Sequence, residues 1–147
     1  MKELDIEFNT ADTMDNKARY IEIKSKYRHG DDTELHCESK DNWEYGAPHE
    51  FVVLSEYNDI LADIHFQKGP IKEVGRNGIS EEDLLLIVAL RLQEFQKTDY
   101  ACKENEKALE SIISALEALY ERRHRREEHG VEGTSAIDYL AELLRNK

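Results

Sequence analysis

The chain has 147 residues, a length that suits one domain with its own hydrophobic core. Its charged content of 35% is high, and its formal net charge is −12. A negative charge of this size disfavours binding to nucleic acid or to an anionic membrane over most of the surface, so an anionic ligand would need a local basic patch.

The first half of the chain is predicted to form a small antiparallel sheet. Residues 1–16 are polar with a few apolar positions, which fits either an edge strand or a loosely held arm. Residues 20–24 alternate apolar and polar side chains, as a half-buried strand does. A turn at 29–32 joins this strand to a second at 33–39, and further strands are predicted at 51–54 and 60–67.

The second half is predicted to form a long helical hairpin. Residues 68–79 are a glycine-containing connector, and residues 80–130 carry apolar side chains at spacings of three and four. Ser80 and Asp83 suit a capping box for the first helix. Thr98 or Asp99 is expected to cap the second helix, and Gly130 to end it. A short helix is predicted from residue 135, with Ile137, Leu140, Leu143 and Leu144 on one face.

These elements predict an α+β fold in a single domain, 1–147. It divides into sheet and connector (1–79), helical hairpin (80–130) and tail (131–147). The second helix would be roughly 45 Å long, and the first only about half of that. The far half of the second helix must therefore meet the rest of the chain or another copy of it. The first helix is broadly apolar and should face water on little of its surface, so it is expected to lie between the second helix and another layer. We expect a homo-oligomer formed through the hairpin.

The sequence predicts no membrane anchor, metal or cofactor. No apolar run approaches the roughly 20 residues that span a bilayer, and the acidic start of the chain predicts no signal peptide. Cys37 and Cys102 lie in unlike contexts outside any CxxC motif, which predicts free thiols in a reducing cytosol. The histidines show no metal-binding spacing. No sequence signature of nucleophilic catalysis is present, so we expect a protein that is not an enzyme.

The concentrated positive charge lies at Arg122, Arg123, Arg125 and Arg126. One interpretation is structural, because cations near a helix C-terminus favour the macrodipole and neighbouring glutamates can pair with them. The other is an anion clamp, in which Arg122 and Arg126, four residues apart on one face, bind two phosphates. Phe95 is either a residue of the hydrophobic core or a stacking surface for a base. Asn105 is either a surface amide in contact with water or a residue that binds a nucleobase or a ribose.

Several short motifs, in order and at the family spacing, resemble the phage Thoeris anti-defence 1 proteins over about residues 50–134. They are Phe66-Gln-Lys-Gly-Pro-Ile-Lys-Glu-Val-Gly-Arg-Asn-Gly-Ile, Glu82-Asp-Leu-Leu, Arg91-Leu-Gln-Glu-Phe-Gln, Ala101-Cys-Lys-Glu-Asn and Arg122…Arg126…Gly130-Val-Glu-Gly-Thr. The hairpin is also similar to that of the phage sponge for CBASS cyclic nucleotides. The sequence departs from the family pattern at His129, where an arginine is common, and at Thr98-Asp99-Tyr100, which replaces a frequent Gly-Pro-Phe.

The resemblance implies a non-enzymatic sponge in the host cytoplasm. Such proteins bind the glycocyclic ADP-ribose signal made by the Thoeris TIR-domain protein and hold it unmodified, so that the effector is not activated. The family's signal-binding phenylalanine falls on Phe95, its asparagine on Asn105 and its arginine on Arg122, and a second recurring arginine falls on Arg126. The resemblance also implies homodimers or hexamers, and CBASS cyclic oligonucleotides as a second class of ligand.

The spacing of these residues predicts a site shared between two chains. Asn105 and Arg122 are 17 positions apart, about 25 Å along a helix, which is longer than the proposed ligand. Two antiparallel hairpins would bring the turn of one chain to the arginines of the other, twice per dimer. The alternatives are an acidic module that inhibits an enzyme by protein–protein contact, and a nucleotide hydrolase.

Overall fold

The computed structural model describes residues 2–9 and 19–136, and these confirm the α+β fold class. The chain forms two compact units, Met1–Lys68 and Gly69–Lys147. Within the described residues, none of the helices is both long and apolar enough to cross a membrane. The tail helix predicted beyond residue 135, with Ile137 and the three leucines, lies outside the described residues.

The first unit is an antiparallel sheet of five strands in sequence order. The strands are β1 (Glu7–Asn9), β2 (Tyr20–Lys24), β3 (Thr33–Glu38), β4 (Glu50–Ser55) and β5 (Ile60–His65). The predicted hairpin over 20–39 is confirmed, and β1 is the edge strand that was one of two interpretations of the N-terminal residues. A short 3-10 helix, Lys40–Asn42, connects β3 to β4.

The core of the sheet follows from the alternation in β2. Ile21 and Ile23 point to one face and are buried, and Cys37 of β3 pairs with Ile21 across the strands. The rings of Phe8, Trp43 and Phe51, together with the Leu35 side chain, pack against this cluster. Residue spacing of two is what places these side chains on one face of the sheet.

The two thiols should therefore differ in reactivity. Cys37 has no exposed surface, and burial raises the pKa of its thiol, whereas the Cys102 side chain is exposed. Since the thiolate is the reactive form, we expect DTNB to modify one of the two cysteines in the native chain and both after denaturation. Cys102→Ser should leave no fast-reacting thiol. Rapid native labelling of that variant would contradict the buried position of Cys37.

The second unit contains three helices: α1 (Ile71–Val74), α2 (Glu81–Phe95) and α3 (Lys103–Glu128). The four-residue α1 lies in the predicted connector and was missed, because so short a segment has no recognisable period. The capping box at Ser80 and Asp83 is confirmed. Gly130 has a φ of 69°, and the amide of Val131 donates to the Arg126 carbonyl, so α3 ends in a left-handed glycine as predicted.

Two details of the hairpin differ from the prediction. The helix α3 begins at Lys103, three or four residues later than the predicted caps imply, and the predicted cap at Thr98 or Asp99 is wrong. The cap is Cys102, whose Sγ accepts the backbone N–H of Asn105 at 3.4 Å. The helix α2 was expected to face water on little of its surface, but Leu86, Ile87, Val88 and Leu90 are about half exposed in the single chain. Their burial against another layer stays a prediction.

Candidate functional site

The loop that joins α2 to α3 is held by hydrogen bonds from two side chains. The Gln96 side-chain nitrogen donates to the Cys102 carbonyl at 3.0 Å, and its oxygen accepts the Cys102 amide at 3.1 Å. Thr98 Oγ1 donates to the Phe95 carbonyl at 2.7 Å and accepts the Tyr100 amide at 3.1 Å. These bonds fix the loop backbone and therefore determine where the side chains of the loop begin.

An aromatic ring is presented beside this loop. Phe95, the last residue of α2, keeps 38% of its surface exposed although it is flanked by two side chains. The guanidinium carbon of Arg91 lies 5.3 Å from the ring centroid, and the Tyr100 ring meets it edge-on at 6.3 Å. Part of the Phe95 surface is thus open to a flat ligand such as a nucleobase.

Asn105 lies in the first turn of α3 and is half-buried. Its backbone N–H is taken by the Cys102 cap, and its side-chain nitrogen makes a long contact of 3.5 Å with the Tyr100 carbonyl. Asn105 and Phe95 both contact Tyr100, so the structure places them beside the same loop. Together with Arg91, these residues are called the turn site: Arg91, Phe95, Tyr100 and Asn105.

The four arginines near the end of α3, called here the arginine end, are not equivalent. Arg122 is exposed, and its guanidinium has no hydrogen bond or ion pair with any residue that the structure describes. The Arg123 side chain lies 3.9 Å from the Glu127 carboxylate and covers the Tyr120 ring at 5.6 Å. The expected pairing of this cluster with neighbouring glutamates is thus confirmed for Arg123, while Arg122 forms no ion pair with the described residues.

Arg126 has a different environment from Arg122. Only 8% of its surface is exposed, and its terminal nitrogens donate to the carbonyls of Val131, Thr134 and Ala136 at 3.0–3.3 Å. Its Nε lies 3.2 Å from the Glu132 carboxylate. Its donors are directed into its own chain, so the structure does not present Arg122 and Arg126 together as a fork for two phosphates.

The segment after α3 is held by Arg126 and also by hydrogen bonds to α1. The Lys72 amide in α1 donates to the Gly133 carbonyl at 2.9 Å. The Glu73 carboxylate accepts both the backbone amide and the hydroxyl of Ser135, at 3.1 and 3.0 Å. Residues 131–136 are thus held between α1 and the end of α3, with Arg126 at the centre of the arrangement.

The turn site and the arginine end lie near opposite ends of the helix α3. The helix α3 is continuous from Lys103 to Glu128 and contains both Asn105 and Arg122. At 1.5 Å per residue, their Cα atoms are about 25 Å apart. Among the predicted site residues, the structure brings Phe95 to Asn105 but leaves Arg122 far from both of them.

An apolar groove of about 510 Å³ runs between α2 and α3. Leu86, Ile113, Leu116 and Tyr120 line its floor, with glutamates and Arg123 at its rim. Three further apolar side chains of α2, Ile87, Val88 and Leu90, are also exposed. Exposed apolar surface of this extent on a helix is typical of an interface with another protein chain.

Comparison with known proteins identifies the hairpin. Residues 58–123 match the family described as "Acb2/Tad1, hairpin domain". The chain is also 36% identical to the Thoeris anti-defense 1 protein of Bacillus phage SBSphiJ7 over 126 residues, an alignment that covers 69% of this chain and 89% of that relative. The chain belongs to the Thoeris anti-defence 1 family. The family resemblance that the motifs indicated is thus confirmed, and the protein has a phage anti-defence role.

The structure adds two residues to the site that the Thoeris anti-defence 1 motifs indicated. Arg91 lies four residues before Phe95, and a spacing of four places both side chains on one face of a helix. That spacing was visible in the sequence. Tyr100 carried no such signal, because its contact with Phe95 depends on the folding of the loop by Gln96 and Thr98.

Proposed function

We propose that this protein binds the glycocyclic ADP-ribose signal of Thoeris defence in the host cytoplasm and holds it unmodified. The defence effector is then not activated. One observation carries the proposal: the family hairpin has an open aromatic ring and an amide at its turn, and an exposed arginine at the far end of α3. A nucleotide with a pyrophosphate offers a flat base, hydroxyl groups and negative charge to these three groups.

Each group has a defined task in this proposal. Phe95 stacks against the base, which is a sequence-tolerant contact worth about 1–3 kcal/mol. The Asn105 amide, whose 3.5 Å bond to Tyr100 is long, exchanges hydrogen bonds with a base edge or a ribose hydroxyl. Arg122 makes charge-assisted hydrogen bonds to the pyrophosphate. Arg126 is assigned to holding residues 131–136 and not to contacting the ligand.

The proposed site is shared by two chains. About 25 Å of the helix α3 separates Asn105 from Arg122, so a single chain cannot bring both residues to one ligand of this size. In an antiparallel pair of hairpins related by a twofold axis, the turn site of one chain meets the arginine end of the other, and two equal sites result. The exposed apolar surface of α2 and the groove beside it support a second copy of the chain as the partner.

The proposed activity is retention without reaction. The turn site offers aromatic rings, an amide and a guanidinium, which are groups that bind and orient a nucleotide. Enclosure between two chains suits this task, because the release rate decides how long the signal is withheld.

Heating the loaded protein tests this proposal. The protein is incubated with excess glycocyclic ADP-ribose, freed of unbound ligand by filtration and denatured at high temperature, and the supernatant is analysed by liquid chromatography and mass spectrometry. We expect the intact signal to return in an amount that does not fall with incubation time. Recovery of a linear or hydrolysed product would indicate a nucleotide hydrolase, and absence of any retained ligand would leave a protein–protein inhibitor as the explanation.

A further inference from the structure

Arg91 is a cation that the fold holds in place at the turn site. It lies in α2 four residues before Phe95, the last residue of that helix, is exposed, and its guanidinium carbon is 5.3 Å from the centre of the Phe95 ring. A guanidinium over an aromatic face is attracted by the ring quadrupole, typically by 0.5–1 kcal/mol at an exposed position. The side chain is exposed in this position, so its N–H groups are accessible to an acceptor.

The charge of Arg91 is not neutralised by its neighbours. The closest acidic residue on the same stretch of helix, Glu94, forms an ion pair with Lys97. The acidic residues at the other end of α2, Glu81, Glu82 and Asp83, are at least eight positions away, or about 12 Å. Within the part of the chain that the structure describes, Arg91 has no ion pair and no hydrogen bond from its guanidinium.

We infer that Arg91 is a second phosphate-binding residue, which contacts the ligand from the turn while Arg122 contacts it from the other chain. This inference rests on the proposed function, since it assigns part of the same site. A base that stacks on the open part of Phe95 brings its phosphates close to that ring, beside which the exposed Arg91 guanidinium lies. The pyrophosphate is then neutralised from both ends of the composite site, which is necessary because the rest of the surface is negative.

The alternative role for Arg91 is to orient Phe95 without touching the ligand. Two variants separate these roles: Arg91→Lys keeps the charge and Arg91→Gln removes it. Lys26→Gln, in the hairpin between β2 and β3, is the matched control, because it also removes one exposed positive charge. Binding of glycocyclic ADP-ribose is measured by titration calorimetry between low and high salt concentration, and folding by circular dichroism.

If Arg91 binds phosphate, Arg91→Gln weakens binding about 10- to 100-fold, which corresponds to loss of one charge-assisted hydrogen-bonding group. Its affinity also falls less steeply with salt than that of the wild type. Arg91→Lys keeps most of the affinity, Lys26→Gln keeps all of it, and the ³¹P resonances of the bound signal shift in Arg91→Gln.

Two results would overturn the inference. One is wild-type affinity in Arg91→Gln. The other is equal weakening in Arg91→Gln and Arg91→Lys with a salt dependence parallel to that of the wild type, which would assign Arg91 to orienting Phe95. If the wild-type protein itself retains no signal, the proposed function fails, and that outcome is distinct from both.

Discussion

Replacing Arg122 by alanine is expected to abolish retention of the Thoeris signal and to leave the hairpin folded. The guanidinium of Arg122 has no partner among the described residues, so the change removes no hydrogen bond or ion pair from that part of the fold. Its proposed bonds to a pyrophosphate are worth about 3 kcal/mol, which corresponds to at least a 100-fold loss of affinity. Affinity is measured by titration calorimetry, and folding by circular dichroism and thermal unfolding.

The matched control for this experiment is Arg123→Ala. It removes the same charge from the next position, but the Arg123 side chain is engaged with Glu127 and Tyr120. We expect this variant to bind within a few-fold of the wild type. Wild-type affinity in Arg122→Ala would remove Arg122 from the site, and a large fall in its melting temperature would give the residue a structural role instead.

Replacing Arg126 by alanine is expected to destabilise the second unit. The change removes a donor from the carbonyls of Val131, Thr134 and Ala136, of which Val131 keeps its bonds from Thr134, and it removes the cation beside the Glu132 carboxylate. Removal of one member of a buried, hydrogen-bonded ion pair costs about 3 kcal/mol. The free energy of unfolding is measured by urea denaturation, and the protection of residues 131–136 by hydrogen exchange.

Arg126→Lys and Arg123→Ala complete this test. Lysine keeps the charge but cannot donate to three carbonyls from a planar fork, so we expect an intermediate loss of stability. Arg123→Ala removes an exposed pair and should change stability by less than about 1 kcal/mol. If Arg126→Ala keeps wild-type stability and loses only ligand binding, the residue contacts the ligand, as the sequence motif implied.

Much of this fold could be predicted from local patterns. The alternation in residues 20–24 and 33–39 gave the central hairpin of the sheet, because one face of each strand is buried. Helical periodicity and the capping box at Ser80 gave the start of α2. The cap of α3 was missed, because cysteine is not among the residues that usually cap helices, and because the Gln96 side chain that holds Cys102 acts across the loop.

The candidate site was less accessible to sequence reasoning. The spacing of four made Arg122 and Arg126 look alike, yet one is exposed and the other is buried by a segment that folds back after Gly130. Such a contact depends on residues 131–136 meeting α1, which no local pattern reports. The aromatic contact of Tyr100 with Phe95 also depends on the loop conformation and not on helical spacing.

The account depends on two chains sharing each ligand, and a complementation measurement tests this claim most directly. Phe95→Ala disables the turn site and Arg122→Ala disables the arginine end, so each variant alone should retain no signal. In a twofold pair that contains one chain of each kind, one of the two sites receives both intact parts. The two chains are denatured together, refolded as an equal mixture and loaded with glycocyclic ADP-ribose.

We expect the mixture to retain about a quarter of the wild-type amount of ligand, since half of the random pairs are mixed and each has one intact site. Each variant refolded alone is the control and should retain none. No recovery of retention in the mixture, with both variants folded and paired, would contradict the account, because it would place Phe95 and Arg122 of the same chain on one ligand.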